Sequence, residues 1–254
     1  MIDIHSHILP GIDDGAKTIQ DTRNMLKMAI AEGVTTIVAT PHYNPQYKNE
    51  RDLILEKVVL VQDMVKKEKL PISVVSGQEV RVYGDLIKDY ISGKLATVAD
   101  FTRFMLVEFP SNQVPSYASR LFYEMTLEGF QPILVHPERN SGIIEDLQLL
   151  ADFVSQGVIT QVTASSITGH FGRKVKEISN DILDNQLAHF IASDAHNITS
   201  RAFKMKDAFQ IIEKNYGQET VDYFNYNAEQ VIVNGTIDFN PPAKKAKKKL
   251  FGKF

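Results

Sequence analysis

The first fifteen residues, MIDIHSHILPGIDDG, hold His5, His7, Asp13 and Asp14. His5 and His7 are spaced i, i+2, and on a strand that spacing puts both rings on one face. Asp194 and His196, in IASDAHN, repeat the spacing. Each pair suits chelation of one metal ion or a bridge across two. Between them along the chain stand His42, Glu79, Glu108 and His136. Imidazole and carboxylate donors together suit zinc, manganese or iron, with bonds of about 2.0–2.2 Å. One ion takes three or four protein ligands. Those eight residues, with Asp13 or Asp14 from the first loop, are too many for one ion. They fit two or three ions bridged by carboxylates, with Glu79 as a bridge.

No single member of this set is diagnostic, since a lone histidine at a strand end is usually structural or solvated. Joint placement carries the argument. Two arginines stand beside the ligands: Arg139 in HPERN and Arg201 in DAHNITSR. A guanidinium presents a planar fork matched to phosphate oxygens, so a phosphate ester is the expected substrate. The competing reading pairs both arginines with surplus acids. His170 and His189 fall outside the pattern and are read as structural.

These residues must be brought together by the fold. Apolar runs rich in β-branched residues recur at 1–7, 35–42, 72–79, 103–110, 132–138, 159–165 and 189–196. Helical patterns lie near 18–32, 50–68, 83–92, 116–128, 143–156, 171–184 and 202–216. The helix near 18 has Thr18 as its N-cap, an apolar stripe at Met25, Met28 and Ala29, and Gly33 as its stop. Alternating units of this kind predict a parallel sheet covered by helices. Seven of them without a reversal predict a barrel, with a doubly wound open sheet as the alternative. The candidate ligands then fall at the C-terminal strand ends, the face on which such barrels carry their sites.

The chain has 254 residues, 43% of them apolar and 23% charged, enough for a substantial core. It contains no cysteine, which removes thiolate ligands, disulfides and thiol nucleophiles. No signal peptide or membrane-spanning run is visible, so a cytoplasmic protein is expected. The last twelve residues, AKKAKKKLFGKF, carry six lysines, so the net charge of −3 conceals an acidic body. Residues 1–235 are expected to form one catalytic unit, with 236–243 a linker and the lysine-rich tail disordered. The tail has the composition for weak contact with an anionic membrane surface, against the plainer reading of a solvated segment. An acidic body argues against nucleic acid as a partner.

DIHSHILPGIDDG, TPH, GQEV, LVEF, HPER and IASDAHN, in that order, resemble the polymerase and histidinol phosphatase (PHP) superfamily. More narrowly, they are similar to the manganese-dependent protein-tyrosine phosphatases of Gram-positive capsule and exopolysaccharide loci. The resemblance covers about residues 1–235. It implies a distorted (β/α)7 barrel of TIM-like, PHP type. It implies one ion held by His5, His7, Glu79 and Asp194, a second by Glu79, Glu108 and His136, and a third by Asp14, His42 and His196. It makes Arg139 and Arg201 the substrate-binding arginines, and manganese the metal, with iron or zinc also suited. The implied partner is the tyrosine-rich C-terminal cluster of a membrane-associated bacterial tyrosine kinase.

Without cysteine, the nucleophile must be water, and coordination can lower its pKa from 15.7 to about 7. Tyrosine leaves with a pKa of about 10, so it needs less protonation than an alkyl alcohol. Tyr43, Tyr47, Phe109 and Tyr117 are candidates to stack on its ring. A small-molecule phosphatase, such as one for histidinol phosphate, is the alternative enzyme. A non-catalytic module that docks through the tail is the alternative without chemistry.

Overall fold

Every pair of named strands is parallel in the computed structural model, which describes residues 1–243. The first sheet is ordered β1 (Ile2–Ser6), β2 (Thr36–Ala39) and β4 (Ser73–Ser76). The second is ordered β3 (His42–Tyr43), β5 (Glu79–Arg81), β6 (Phe104–Glu108), β7 (Gln131–Val135), β8 (Ile159–Thr163) and β9 (Phe190–Ala192). The expectation of seven strands is therefore corrected. Segment 35–42 divides into β2 and β3, and 72–79 into β4 and β5. Pro41 lacks the N–H needed to continue a ladder. Gly77 passes so close to β2 that a Cβ there would lie 2.6 Å from Val38 Cγ1. At both breaks the chain steps from the first sheet to the second. The sheets also meet at β1 and β9, where Asp194 N donates to His5 O and His7 N to Ala195 O, both at 2.9 Å.

Helices fill the connections. α1 (Ile19–Ala31) starts at Thr18 with a capping box, in which Thr18 Oγ1 accepts from Asp21 N and Asp21 Oδ2 accepts from Thr18 N. It buries Met25, Leu26 and Ala29 and is followed by Gly33 at φ +89°. α2 (Arg51–Glu68), α3 (Leu86–Ile91) and α4 (Ala118–Leu127) follow β3, β5 and β6. The helix expected at 143–156 is two, α5 (Ser141–Glu145) and α6 (Gln148–Ser155). A short α7 (Ala164–Thr168) continues directly from β8 and precedes α8 (Arg173–Asp184). α9 (Met205–Tyr216) is joined at Gly217 to α10 (Gln218–Ile232), a helix the sequence patterns did not isolate. No helix among the described residues is long and apolar enough to cross a membrane.

Two apolar clusters hold these elements. The larger lies between strands and surrounding helices. The smaller gathers Val38, Phe104, Leu106, Ile133, Val135, Ile159, Phe190 and Ala192 from five strands, with Ala228 and Val231 of α10 and with Ile237 packed against them. Ile237 is 4% exposed and Asp238 is hydrogen-bonded to Tyr223 and Asn227, so packed chain continues past residue 235. The lysines of the tail lie outside the described residues.

Strand alternation links this cluster to the site. Along β6, Phe104 and Leu106 lead on one face to Glu108. Along β8, Ile159 leads to Gln161, and beyond β9 the series Phe190 and Ala192 leads to Asp194. Apolar side chains occupy the strand starts and polar ones the strand ends.

Candidate active site

His5 lies within β1, and His7 one residue past its end. Their Nε2 atoms are 3.3 Å apart. Glu79 Oε2 is 3.4 Å from His5 Nε2 and 3.3 Å from His7 Nε2. Asp194 Oδ1 is 3.5 Å from the first and 3.4 Å from the second. Donors about 2.1 Å from one ion at tetrahedral angles stand about 3.4 Å apart. Glu79 Oε2 and Asp194 Oδ1 thus each stand within 3.5 Å of both imidazole nitrogens, at the spacing that ligands of one divalent ion adopt.

The imidazoles are aimed by their other nitrogens. His5 Nδ1 donates to Gln161 Oε1 at 2.8 Å, and His7 Nδ1 donates to Asp13 Oδ2 at 2.8 Å. His196 Nδ1 donates to the Asp194 carbonyl at 2.9 Å. Each Nε2 is left as the inward donor atom, the arrangement that fixes a metal-binding tautomer. Asp13 therefore stands behind His7, whereas Asp14 faces inward. Asp14 Oδ1 is 3.2 Å from His42 Nε2 and 3.3 Å from His196 Nε2.

Glu79 divides its oxygens. Oε2 faces His5, His7 and, at 2.8 Å, His42 Nδ1, while Oε1 meets His136 Nε2 at 2.7 Å. Glu108 lies farther out, 3.8 Å from His42 Nδ1 and 3.9 Å from His136 Nε2. His5, His7 and Glu79 make one group of converging donors; His42, Glu79 and Glu108 make another; His7, Asp14, His42 and His196 make a third. All nine sequence candidates therefore meet at one place. His196 Nε2 is buried with no hydrogen-bond partner, and Glu79 Oε2 and His42 Nδ1, though 2.8 Å apart, make no well-aligned hydrogen bond. Buried polar atoms left in this way are costly unless something binds them. The donor chemistry, spacing and orphaned atoms all fit metal ions.

The backbone contributes to the aim. His136 (φ +38°) and Asp194 (φ +50°) both adopt left-handed conformations just beyond β7 and β9. Such conformations cost energy in non-glycine residues and cluster where a site is over-determined by its surroundings. Here they turn the two side chains across the strand ends.

Charge is concentrated. Burial opposes ionisation of Glu79, yet His42 and His5 hold it well below the usual carboxylate range. Burial likewise opposes ionisation of Asp194, but Arg139 and His5 keep it low. Glu108 is raised to about 7 by burial and by the neighbouring Glu79. His136 is pushed down to about 4 by burial and Arg139, and His196 to about 4 by burial and His7. Burial would also lower His42, but Glu79 lifts it to about 9. Ionised Glu79 and Asp194 beside neutral His136 and His196 are in the protonation states that metal binding needs, whereas His42, held by Glu79, and His7, held by Asp13, retain a proton that a bound ion would have to displace.

Both arginines reach this centre. Arg139 Nη2 donates to Asp194 Oδ2 at 2.5 Å. Arg201 Nη2 donates to the same oxygen at 3.2 Å, and its Nη1 to Asp14 Oδ2 at 3.2 Å. They also line a cavity of about 350 Å³ beside His42, Glu108, Phe109 and His136. Two residues missed in the sequence belong here. Arg81, two positions after Glu79, lines the cavity and pairs with Glu108 Oε1 at 3.0 Å. Gln161 is fully buried under His5. Strand alternation marks both: Arg81 from Glu79, and Gln161 from Ile159.

Of the four aromatic candidates, Tyr43 is buried against Tyr83, and Phe109 packs on Phe122 and Phe153 with an edge on the cavity. Tyr47 lies nearly parallel to the His42 ring, centroids 5.9 Å apart. Tyr117 is exposed, its hydroxyl donating to Val82 O. His189 is buried at the far end, before β9, and His170 lies between α7 and α8.

A family model described as capsular polysaccharide synthesis, CpsB/CapC, matches residues 1–233. The chain is 41% identical over 255 residues to the tyrosine-protein phosphatase YwqE of Bacillus subtilis, covering 100% of both. It is 38% identical over 254 residues to CapC of Staphylococcus aureus, covering 99% of both. Among solved structures it matches one described with YwqE from Bacillus subtilis and CpsB from Streptococcus pneumoniae as unique metal-dependent tyrosine phosphatases. That match has a TM-score of 0.93 at 40% identity, covering 97% of this chain and 100% of the other.

Proposed function

This chain belongs to the CpsB/CapC family of capsular polysaccharide synthesis, and we propose that it is a metal-dependent protein-tyrosine phosphatase. The carrying observation is the approach of His5 and His7, whose Nε2 atoms lie 3.3 Å apart, with Glu79 and Asp194 each 3.3–3.5 Å from both, set beside two arginines. In this reading the two parallel sheets, joined at β1 and β9, are one distorted (β/α)7 barrel, and residues 1–235 are its catalytic unit. His5, His7, Glu79 and Asp194 hold one ion. Glu79, Glu108 and His136 hold a second, and Asp14, His42 and His196 a third. Manganese is the proposed metal, and iron and zinc suit the same donors.

Bound ions would supply Lewis acidity and a water acidic enough to ionise near neutral pH. The chain's own residues do the rest. Arg139 and Arg201 orient the phosphoryl group and neutralise charge spreading over its equatorial oxygens. Gln161, Asp13 and the Asp194 carbonyl keep three imidazoles in one tautomer. Phenolate departs readily, so no side chain is assigned as general acid. The proposed substrates are tyrosine-phosphorylated proteins, foremost the C-terminal tyrosine cluster of a membrane-associated kinase that controls capsule or exopolysaccharide synthesis. The proposed location is the cytoplasm.

The test compares kcat/KM for a phosphotyrosine peptide and for histidinol phosphate with manganese-loaded protein. Preference for the peptide supports the proposal. Efficient turnover of histidinol phosphate with a silent peptide replaces it with a small-molecule phosphatase.

A further inference from the structure

The turn between α7 and α8 reads Gly169-His170-Phe171-Gly172. Gly169 ends α7 at φ +87°, and Gly172 precedes α8 at φ +91° and ψ 172°. The latter is a conformation essentially confined to glycine. The chain thus spends two glycines on displaying two aromatic side chains, of which Phe171 contacts Arg139 and His170 contacts the backbone of Ser200, next to Arg201.

Phe171 lies beneath Arg139, whose Cζ is 5.4 Å from the ring centroid. That is within cation–π range, with the guanidinium carbon over the ring. Asp194 holds the same guanidinium by Nη2, while its Nε is buried with no hydrogen-bond partner. The guanidinium is therefore held from two sides, by the Phe171 ring and by the Asp194 carboxylate. His170 Nε2 donates to the carbonyl of Ser200 at 2.6 Å, one residue before Arg201. The 197–201 segment is closed on itself by Asn197 Oδ1, which accepts from Thr199 N and Arg201 N, and by Arg201 O, which accepts from His196 N. His170 ties that closed turn to α7.

We propose that the Gly169–Gly172 turn positions both arginines for the phosphate group, Phe171 by stacking on Arg139 and His170 by anchoring Ser200 beside Arg201. The inference rests on the reading of Arg139 and Arg201 as phosphate-binding residues. Phe171 and His170 act through them and touch no reacting atom. A bidentate fork gains specificity only when its plane is fixed before the anion arrives. Losing either anchor leaves both arginines present, so it weakens capture of the phosphate more than it slows the chemical step.

The experiment measures kcat and KM on a phosphotyrosine peptide, the inhibition or dissociation constant for inorganic phosphate, and metal content. It uses full-length Phe171→Leu, Phe171→Tyr, His170→Ala and His170→Gln proteins. Phe171→Leu and His170→Ala should each raise KM and the phosphate constant roughly threefold to tenfold. Metal content should match wild type and kcat should stay within about twofold. Tyrosine retains the ring and glutamine retains an N–H donor, so both should restore wild-type values. Unchanged phosphate binding in Phe171→Leu and His170→Ala overturns the inference, as does a fall in kcat alone or equal loss in the conservative variants. Wild-type protein that turns over phosphotyrosine alongside unaffected variants leaves the phosphatase reading standing and removes only this one. Wild-type protein that neither hydrolyses phosphotyrosine nor binds inorganic phosphate overturns both.

Discussion

His5 and His7 bring their Nε2 atoms to 3.3 Å of each other, although both nitrogens carry lone pairs directed at the same point. Only a proton or a metal ion between them makes that approach favourable. Ligands that bind the folded state alone stabilise it by mass action, by about 4 kcal/mol at a thousand times Kd. Adding manganese to chelated protein should therefore raise Tm by several degrees, and His7→Ala should shrink that rise. An equal rise in wild type and His7→Ala, followed by differential scanning fluorimetry, contradicts metal binding by this pair.

Gln161 Oε1 accepts the Nδ1 proton of His5 from within the core. Leucine in its place removes the acceptor and frees the ring to adopt the wrong tautomer. Loss of such a partner typically costs 10- to 100-fold in metal affinity. Manganese titration of Gln161→Leu should show a loss of about that size, with Gln161→Glu, which keeps an acceptor, less affected. Wild-type affinity in Gln161→Leu would refute the role.

Glu138 is fully buried inside HPER and clasps the neighbouring strand end. Its Oε1 accepts from Thr163 N at 3.0 Å and from Ser166 Oγ at 2.6 Å. Burial raises its pKa above the ordinary carboxylate value. Glu138→Ala leaves both donors unsatisfied and should cost roughly 3 kcal/mol in urea unfolding. Glu138→Gln preserves the acceptor and should cost less than half as much. Equal costs would show that the two hydrogen bonds are not what holds this loop.

His189 sets a pH dependence away from the site. Thr160 N donates to its Nδ1 at 3.2 Å, so the neutral ring is the form the fold accommodates. Burial lowers its pKa from 6.5 to about 4. Between those values the unfolded chain binds the extra proton, so stability rises with pH. The contribution is full above pH 6.5 and declines as pH falls toward 4. About 1 kcal/mol should be lost between pH 7.5 and 5.5. Urea unfolding in chelator should show that loss to be smaller by this amount in His189→Gln. An identical pH profile in the variant would contradict the assignment.

Much of the site was legible because strand alternation is local. His5 and His7 converge as period-two spacing predicts, and Glu108 and His136 stand at or just past strand ends, whereas His42 and Glu79 open β3 and β5, Asp14 lies in the loop before α1, and Asp194 and His196 lie past β9. The backbone turns at His136 and Asp194 were not legible, because a left-handed conformation leaves no mark on a non-glycine residue in the sequence. Asp13 and Asp14 are adjacent acids, and only the loop path decides which faces His7 Nδ1 and which faces His42. Gln161 and Arg81 lie in register with named residues but are not common ligand types, so a search for metal donors passes over them. The strand break at Gly77 depends on its close approach to Val38 of β2, which sequence patterning within one segment does not contain. α10 packs on the strand starts with Tyr223, Phe224, Ala228 and Val231, a stripe diluted by buried Thr220 and Asn227.

The converging histidines and carboxylates are proposed to support phosphotyrosine hydrolysis by means of bound metal. The most direct test is phosphate release from a phosphotyrosine peptide by chelated protein, by the same protein given manganese, and by manganese-treated His136→Ala. Release should be negligible from the chelated sample, recover with manganese, and fall at least about a hundredfold in the variant. Full activity in the chelated protein, or undiminished activity in His136→Ala, would contradict that proposal.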